Sequence, residues 1–320
     1  MHSRNIFVAT FLVAQLTQLF FAALTHADEG VSPPPPPIPF HSISLLRYLS
    51  GQKGDRLSLP SDVAVNEHGV YVVDGGNHRI VVFDQEGDYR FQFAAKGSKA
   101  GQLSGPVGLG LDAKGRVYVA DRGNARIQIF DSEGTYLSGF TLKSKGKVVV
   151  PIDIAANPRG SRLYITGNNN HRLMVVNHNG KLLRQWGGNG LNRGQFRYPG
   201  SVLVKKNGHI AVVDILNTRV QVFNRKGEFS RQIGDWGVLP GQFVRPKGVA
   251  TDSKGWFYVS DSYMGLIQVF DDEGQFRYVL KEDGGDQGMV TPAGIAIDKN
   301  DRLYVTEMLK NRVAVYNLRQ

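Results

Sequence analysis

Cationic and aromatic side chains crowd into the same glycine-rich stretches of this chain. Lys53 and Arg56, Lys96 and Lys99, Lys143, Lys145 and Lys147, Arg193 and Arg197, and Arg245 and Lys247 are interleaved with Trp186, Phe196, Tyr198, Trp236 and Phe243. Cations beside aromatic rings suit an anionic polymer or an acidic protein surface. Phe196 and Phe243 each follow a Gly-Gln pair, so they are expected in a core, which leaves Trp236 and Tyr198 as the exposed aromatic candidates. Asp62 and Asp153 each stand two residues after a proline. Two such carboxylates could hold a cation with waters; alternatively each caps local backbone amides, which is the expectation taken forward. Asp271-Asp272-Glu273 reads as a solvated hairpin turn.

Other chemistry is excluded by residue type. The chain has 0 cysteines, so disulfides, thiolate metal sites, c-type haem attachment and cysteine nucleophiles are ruled out. There is no Gly-x-Ser-x-Gly elbow, phosphate-binding loop or His-Glu-x-x-His helix. No catalytic residue, metal ligand or cofactor is assigned.

The elements that must hold the basic stretches come from an internal repeat. An apolar strand, an acidic residue, a polar turn and a second apolar strand recur as VYVVDGGNHRIVVF from Val70 and VYVADRGNARIQIF from Val117. Further copies are LYITGNNNHRLMVV from Leu163, IAVVDILNTRVQVF from Ile210, FYVSDSYMGLIQVF from Phe257 and LYVTEMLKNRVAVY from Leu303. Asp74, Asp121, Gly167, Asp214, Asp261 and Glu307 mark the strand ends, spaced 47, 46, 47, 47 and 46 residues apart. A proline-led strand precedes each marker, and a glycine turn then leads to a fourth strand. Four antiparallel strands in a repeat of about 40–50 residues are a propeller blade, so the fold class is all-β, a six-bladed β-propeller. The sixth copy lacks a fourth strand, whereas Ser42–Gly51 resembles one and precedes the first copy. The N-terminal strand is therefore expected to complete the last blade and close the ring. The loops from each fourth strand to the next first strand should share a face with the acidic turns, which puts the basic stretches together.

Ahead of the repeats, residues 1–27 read as a signal peptide: Arg4, an apolar run from Ile6 to Leu24, and Thr25-His26-Ala27 before the expected cleavage. An uncleaved anchor is the alternative. Both place the remainder outside the cytoplasm, secreted or periplasmic. Residues 28–40 form a proline-rich linker with Pro33–Pro37 as an extended spacer, and 41–320 form the propeller. Without Arg4 the chain carries 37 basic and 28 acidic residues, 37 − 28 = +9. That excess in an exported protein points to a protein or anionic glycan partner and not to nucleic acid; alternatively it only maintains solubility. The mature chain is expected to be monomeric, with no membrane span.

The Pro-x-Gly-Ile/Val-Ala strands, Tyr-Val-x-Asp, Asn-x-Arg-Ile/Val and the Gly-Gln-Phe of 194–196 and 241–243 resemble NHL-repeat propellers, and the resemblance covers Phe40 to Gln320. Such propellers include binding proteins, sensors and enzymes, so fold alone does not settle function. The resemblance to one NHL-like enzyme, the peptidylglycine amidating lyase, implies histidine zinc ligands in the acidic turn and after the first-strand prolines. His78 and His171 match the turn position, and Arg122 and Tyr263 match its catalytic Arg and Tyr. The residues after the prolines are Ser61, Val107, Ile152, Gly200, Lys247 and Ala293, none a histidine. A catalytic zinc needs three protein ligands, so His78 and His171 are read as surface side chains. Arg122 and Tyr263 join Lys143, Lys145, Lys147, Arg193, Arg197, Tyr198, Trp236, Arg245 and Lys247 as binding candidates. The resulting reading is an extracytoplasmic protein-binding or ligand-binding module. Its rivals are a divergent metal-dependent propeller lyase or hydrolase and an assembly factor of an exported redox complex.

Overall fold

The computed structural model describes residues 37–52, 54–157, 159–284 and 288–319. The signal segment, most of the proline run and Lys53 lie outside the described residues. Ile38 to Gln320 form one compact unit.

Each repeat folds as its pattern dictates. In unit one, Pro60–Asn66, Gly69–Asp74, Arg79–Phe83 and Tyr89–Phe93 pair antiparallel in sequence order, with Val63 opposite Val72 and Val72 opposite Val81. Units two, three and four form the same four-stranded sheet. Every residue of Gly69–Asp74, Val117–Asp121, Leu163–Gly167, Ile210–Asp214 and Phe257–Asp261 is buried, because both faces of these strands are covered by neighbouring sheets. That explains their unbroken apolar runs. The fourth strand Tyr89–Phe93 alternates between more and less exposed residues, as an outer strand should.

The apolar clusters lie between consecutive units. Tyr71, Val73 and Ile80 of unit one pack with Val117, Val119 and Phe130 of unit two. Val63, Val72 and Val81 pack with Tyr304, Val313 and Val315 of unit six. Each fully buried side chain of this kind stabilises by about 1.5–3 kcal/mol. A charge at Val72 or Val212 would be left without a partner in such a cluster. The first strands adjoin one another in order, and Pro292–Ile297 of unit six adjoins Pro60–Asn66 of unit one. The chain is thus an all-β β-propeller. Glycine permits the close approach of the first strands: a Cβ at Gly110 would lie 2.4 Å from the Ile154 carbonyl oxygen.

Units five and six depart from the expectation of separate blades. They form one eight-stranded sheet, with the strand Phe40–Leu49 between its halves. Ser44 to Leu49 pair antiparallel with Arg312–Asn317, as the closure model requires. Phe40 to Ile43 instead pair in parallel with Phe276–Glu282 of unit five. The strand has 10 residues, longer than its unit-six partner, and a bulge between Leu45 and Arg47 lets its first half satisfy the unit-five edge.

Candidate functional site

The acidic turns organise one face of the ring. Asp74 accepts the Ser58 N–H at 2.6 Å, Asn77 Nδ2 at 2.8 Å and Arg79 Nε at 2.7 Å, tying the turn to the loop entering its own unit. Asp121 and Asp214 do the same with Ser104 and Arg197, using Asn124 and Arg126, and Asn217 and Arg219. Burial pushes the Asp214 carboxyl up despite the opposing amide, Asn217 and Arg219 contacts, while Arg79 draws Asp55 down. Unit three has Gly167, and Asn169 Oδ1 takes the Val150 N–H at 3.0 Å instead. Unit five lacks the Asn and Arg; Asp261 there accepts four backbone N–H groups, from Val244, Arg245, Tyr263 and Met264. Glu307 holds Val290 N–H and Arg312 in unit six. The turns are fasteners, in which acidic and amide side chains satisfy backbone N–H groups.

His78 and His171 are not free surface side chains. Both occupy left-handed turn positions, with φ of 58° and 51°. His78 Nδ1 accepts the Gly105 N–H at 2.8 Å, and His171 Nδ1 accepts the Tyr198 N–H at 3.2 Å. Each donor precedes the first-strand proline of the next unit, so these imidazoles link units. Asn311 Oδ1 takes the Leu59 N–H at 2.8 Å in the same way, from unit six to unit one. Sequence reading missed this role, although the shared offset of 27 residues was a usable signal. Among the described residues no three His, Asp or Glu side chains are placed to hold a metal.

Asp62 and Asp153 line an axial cavity of about 230 Å³, with Ser201 and small apolar residues. The register slips after the proline in both strands, which turns each carboxylate toward the next unit. Asp62 accepts the N–H groups of Val63 and Leu109, and Asp153 those of Ile154 and Val202. They cap amides, as expected, but they also face each other. Burial, then the neighbouring Asp153, pushes Asp62 well above the usual carboxylate range; burial lifts Asp153 to about 6.

The connecting loops are braced by backbone bridges and glutamine side chains. Bridges Lys96 to Leu103, Asn189 to Phe196 and Trp236 to Phe243 give three loops one shape, and Gln128, Gln221 and Gln268 each receive the N–H of the Gly in Gly-Gln. Phe196 and Phe243 are fully buried, as expected. Lys143, Lys145 and Lys147 are all exposed on a small hairpin, Lys143–Ser144 against Lys147–Val148, that the sequence reading did not foresee. Its central residues Lys145 and Gly146 have φ of 50° and 78°, the tight turn that suits two strands.

Arg122, Arg193, Arg197 and Arg245 are exposed on the same side, as are Trp236 at 73% and Tyr263 at 59%. Tyr198 is half-buried against the core between units four and five, contrary to its reading as an exposed candidate. Lys247 is also half-buried, and burial followed by Arg245 lowers its pKa. Trp186 packs against Phe223 at 5.8 Å. Asp271 is buried, accepts the Gln275 N–H and pairs with Arg277, so its turn is not simply solvated.

A ring of antiparallel sheets with a loop face and an axial cavity is a β-propeller. The model of the NHL repeat matches residues 57–83 and 103–130. Together with this fold, the match supports an NHL-repeat β-propeller. Protein brain tumor of Drosophila melanogaster is 48% identical over 48 residues, 15% of this chain. The match spans only 5% of that relative's length. A gluconolactonase of Xanthomonas campestris aligns with a TM-score of 0.65 and 16% identity, over 90% of this chain and 99% of that one. A catalytically inactive virginiamycin B lyase of Staphylococcus aureus with quinupristin gives 0.60 and 16%, over 87% and 89%. Identities this low carry the fold alone.

Proposed function

We propose that this chain is an extracytoplasmic interaction module, a six-bladed ring whose loop face binds an acidic protein partner. The count of six treats the eight-stranded sheet as two blades that share Phe40–Leu49. Residues 1–27 support the extracytoplasmic reading by their signal-like pattern.

The observation that carries the binding reading is how exposed side chains divide between the two faces. The loop side exposes Arg56, Lys96, Lys99, Arg122, Lys143, Lys145, Lys147, Arg193, Arg197, Arg245 and Lys310. Among the described residues, its exposed carboxylates are Asp55, which pairs with Arg79, Asp235, and Asp283, which holds Ser44. On the opposite side exposed acids such as Glu67, Glu86, Asp88, Glu133, Glu228 and Glu273 are interspersed with exposed cations such as Lys114, Lys181, Lys206, Lys226 and Lys254, so that face is mixed in charge. The loop side also exposes Leu191, Leu216, Trp236, Val238, Leu239 and Tyr263, each by more than half. Aliphatic surface favours a protein over a glycan, and Trp, Tyr and Arg are the usual anchors of a protein interface. The test is binding of poly-L-glutamate, with heparin as comparator, to charge-matched variants of the two faces; preference for heparin would favour the glycan.

A further inference from the structure

Between the loops of unit four lies an open cavity of about 340 Å³, walled by Leu191, Leu216 and Trp236. Its polar lining is Asn217, Thr218, Arg219, Gln232 and the carboxylate of Asp235. Asn217 spends its Nδ2 on Gly190 and Asp214, and leaves Oδ1 buried without a donor. Asp235 takes the Trp236 N–H on Oδ1 at 2.8 Å and is exposed. Arg219 also lines the cavity, but its guanidinium is committed to Asp214, Gln232, Asn192 and Gln195. The local charge left uncompensated is therefore negative, inside a face that is otherwise basic.

We infer that this cavity takes one cationic side chain, a lysine or arginine, from the partner. Its alkyl stem would lie along Leu191 and Leu216, and its charged head over the Trp236 ring and toward Asp235. The inference rests on the protein-binding reading for its source and adds a specificity element to it. A basic residue within an acidic surface would be accepted here and repelled elsewhere on the face.

The probe is N-acetyl-arginine amide, followed through tryptophan fluorescence of the full domain, with the neutral isostere N-acetyl-citrulline amide beside it. The expected result is saturable binding at millimolar concentration, weakened roughly threefold to fivefold for citrulline and for Asp235→Asn, as one partly exposed ion pair implies. Trp236→Phe should abolish the signal, since Trp236 is the ring at the cavity. Equal response to the two probes, indifference to Asp235→Asn, or no saturable response would overturn the assignment. Poly-L-glutamate binding, measured on Asp235→Asn, reads the wider face separately. If it persists while arginine binding is absent, only the cavity assignment fails; if it is absent while arginine binding persists, only the acidic-partner reading fails.

Discussion

Asp62 and Asp153, from units one and three, meet inside the axial cavity, and each also holds an amide of the following unit. Desolvation in the cavity disfavours the charged form of both, and the Asp153 charge adds to this at Asp62, so the folded chain retains a proton there that the unfolded chain releases.

The sign of the resulting pH dependence follows. Both folded values are raised above the ordinary 3.8, Asp153 to about 6 and Asp62 well upward. The Asp153 contribution is fully present below pH 3.8 and is lost as pH rises through about 6, and that of Asp62 has the same sign. The swing should be on the order of 1–3 kcal/mol, at 1.36 kcal/mol per unit. Melting of wild type and Asp153→Asn across pH 4 to 8 checks it, because the variant should lose less stability over that range. Parallel curves would show that the pair does not share a proton in the fold.

Ring closure depends on Phe40–Leu49, which joins both halves of the eight-stranded sheet. Deleting that strand should leave two unpaired edges and cause aggregation or a large fall in Tm. Ile43→Asp, which puts a charge where Ile43 is fully buried, should destabilise by several kcal/mol without shortening the chain. Size-exclusion chromatography and thermal melting read both; a monomeric deletion variant with unchanged Tm would contradict the closure.

His78→Ala and His171→Ala each remove one link between units. The expected cost is about 0.5–1.5 kcal/mol per hydrogen bond, and bound metal should be unaffected. Urea unfolding and metal analysis of the purified protein are the readouts. Stoichiometric zinc lost from either variant would instead give these imidazoles a ligand role.

Much of the fold was legible because buried strands and obligatory turns leave a regular mark. The spacing from Asp74 to Glu307 and the unbroken apolar second strands announced the repeats. What escaped depends on geometry between units. The His78 to Gly105 link left only a repeated offset of 27 residues, shared with His171 and Tyr198, and nothing in the local sequence says that Phe40 to Ile43 stray to unit five. Tyr198 was misjudged because its ring packs against the core between units four and five, a contact made by residues distant in sequence. The cavity at Trp236 was invisible because three loops had to be placed before Leu191 and Leu216 could be seen to wall it.

The most direct test of the loop-face account compares Lys143→Gln/Lys145→Gln/Lys147→Gln with Lys114→Gln/Lys181→Gln/Lys206→Gln. All six lysines are exposed, and the second set lies in turns of the opposite face. Poly-L-glutamate affinity is measured from 0.05 to 0.5 M salt, where screening shortens from more than about 10 Å to a few Å. The first variant should lose roughly fivefold to a hundredfold at low salt, at a few tenths to one kcal/mol per exposed charge, and the second much less. Equal losses from the two variants would contradict a located site and leave only the general attraction of a basic protein.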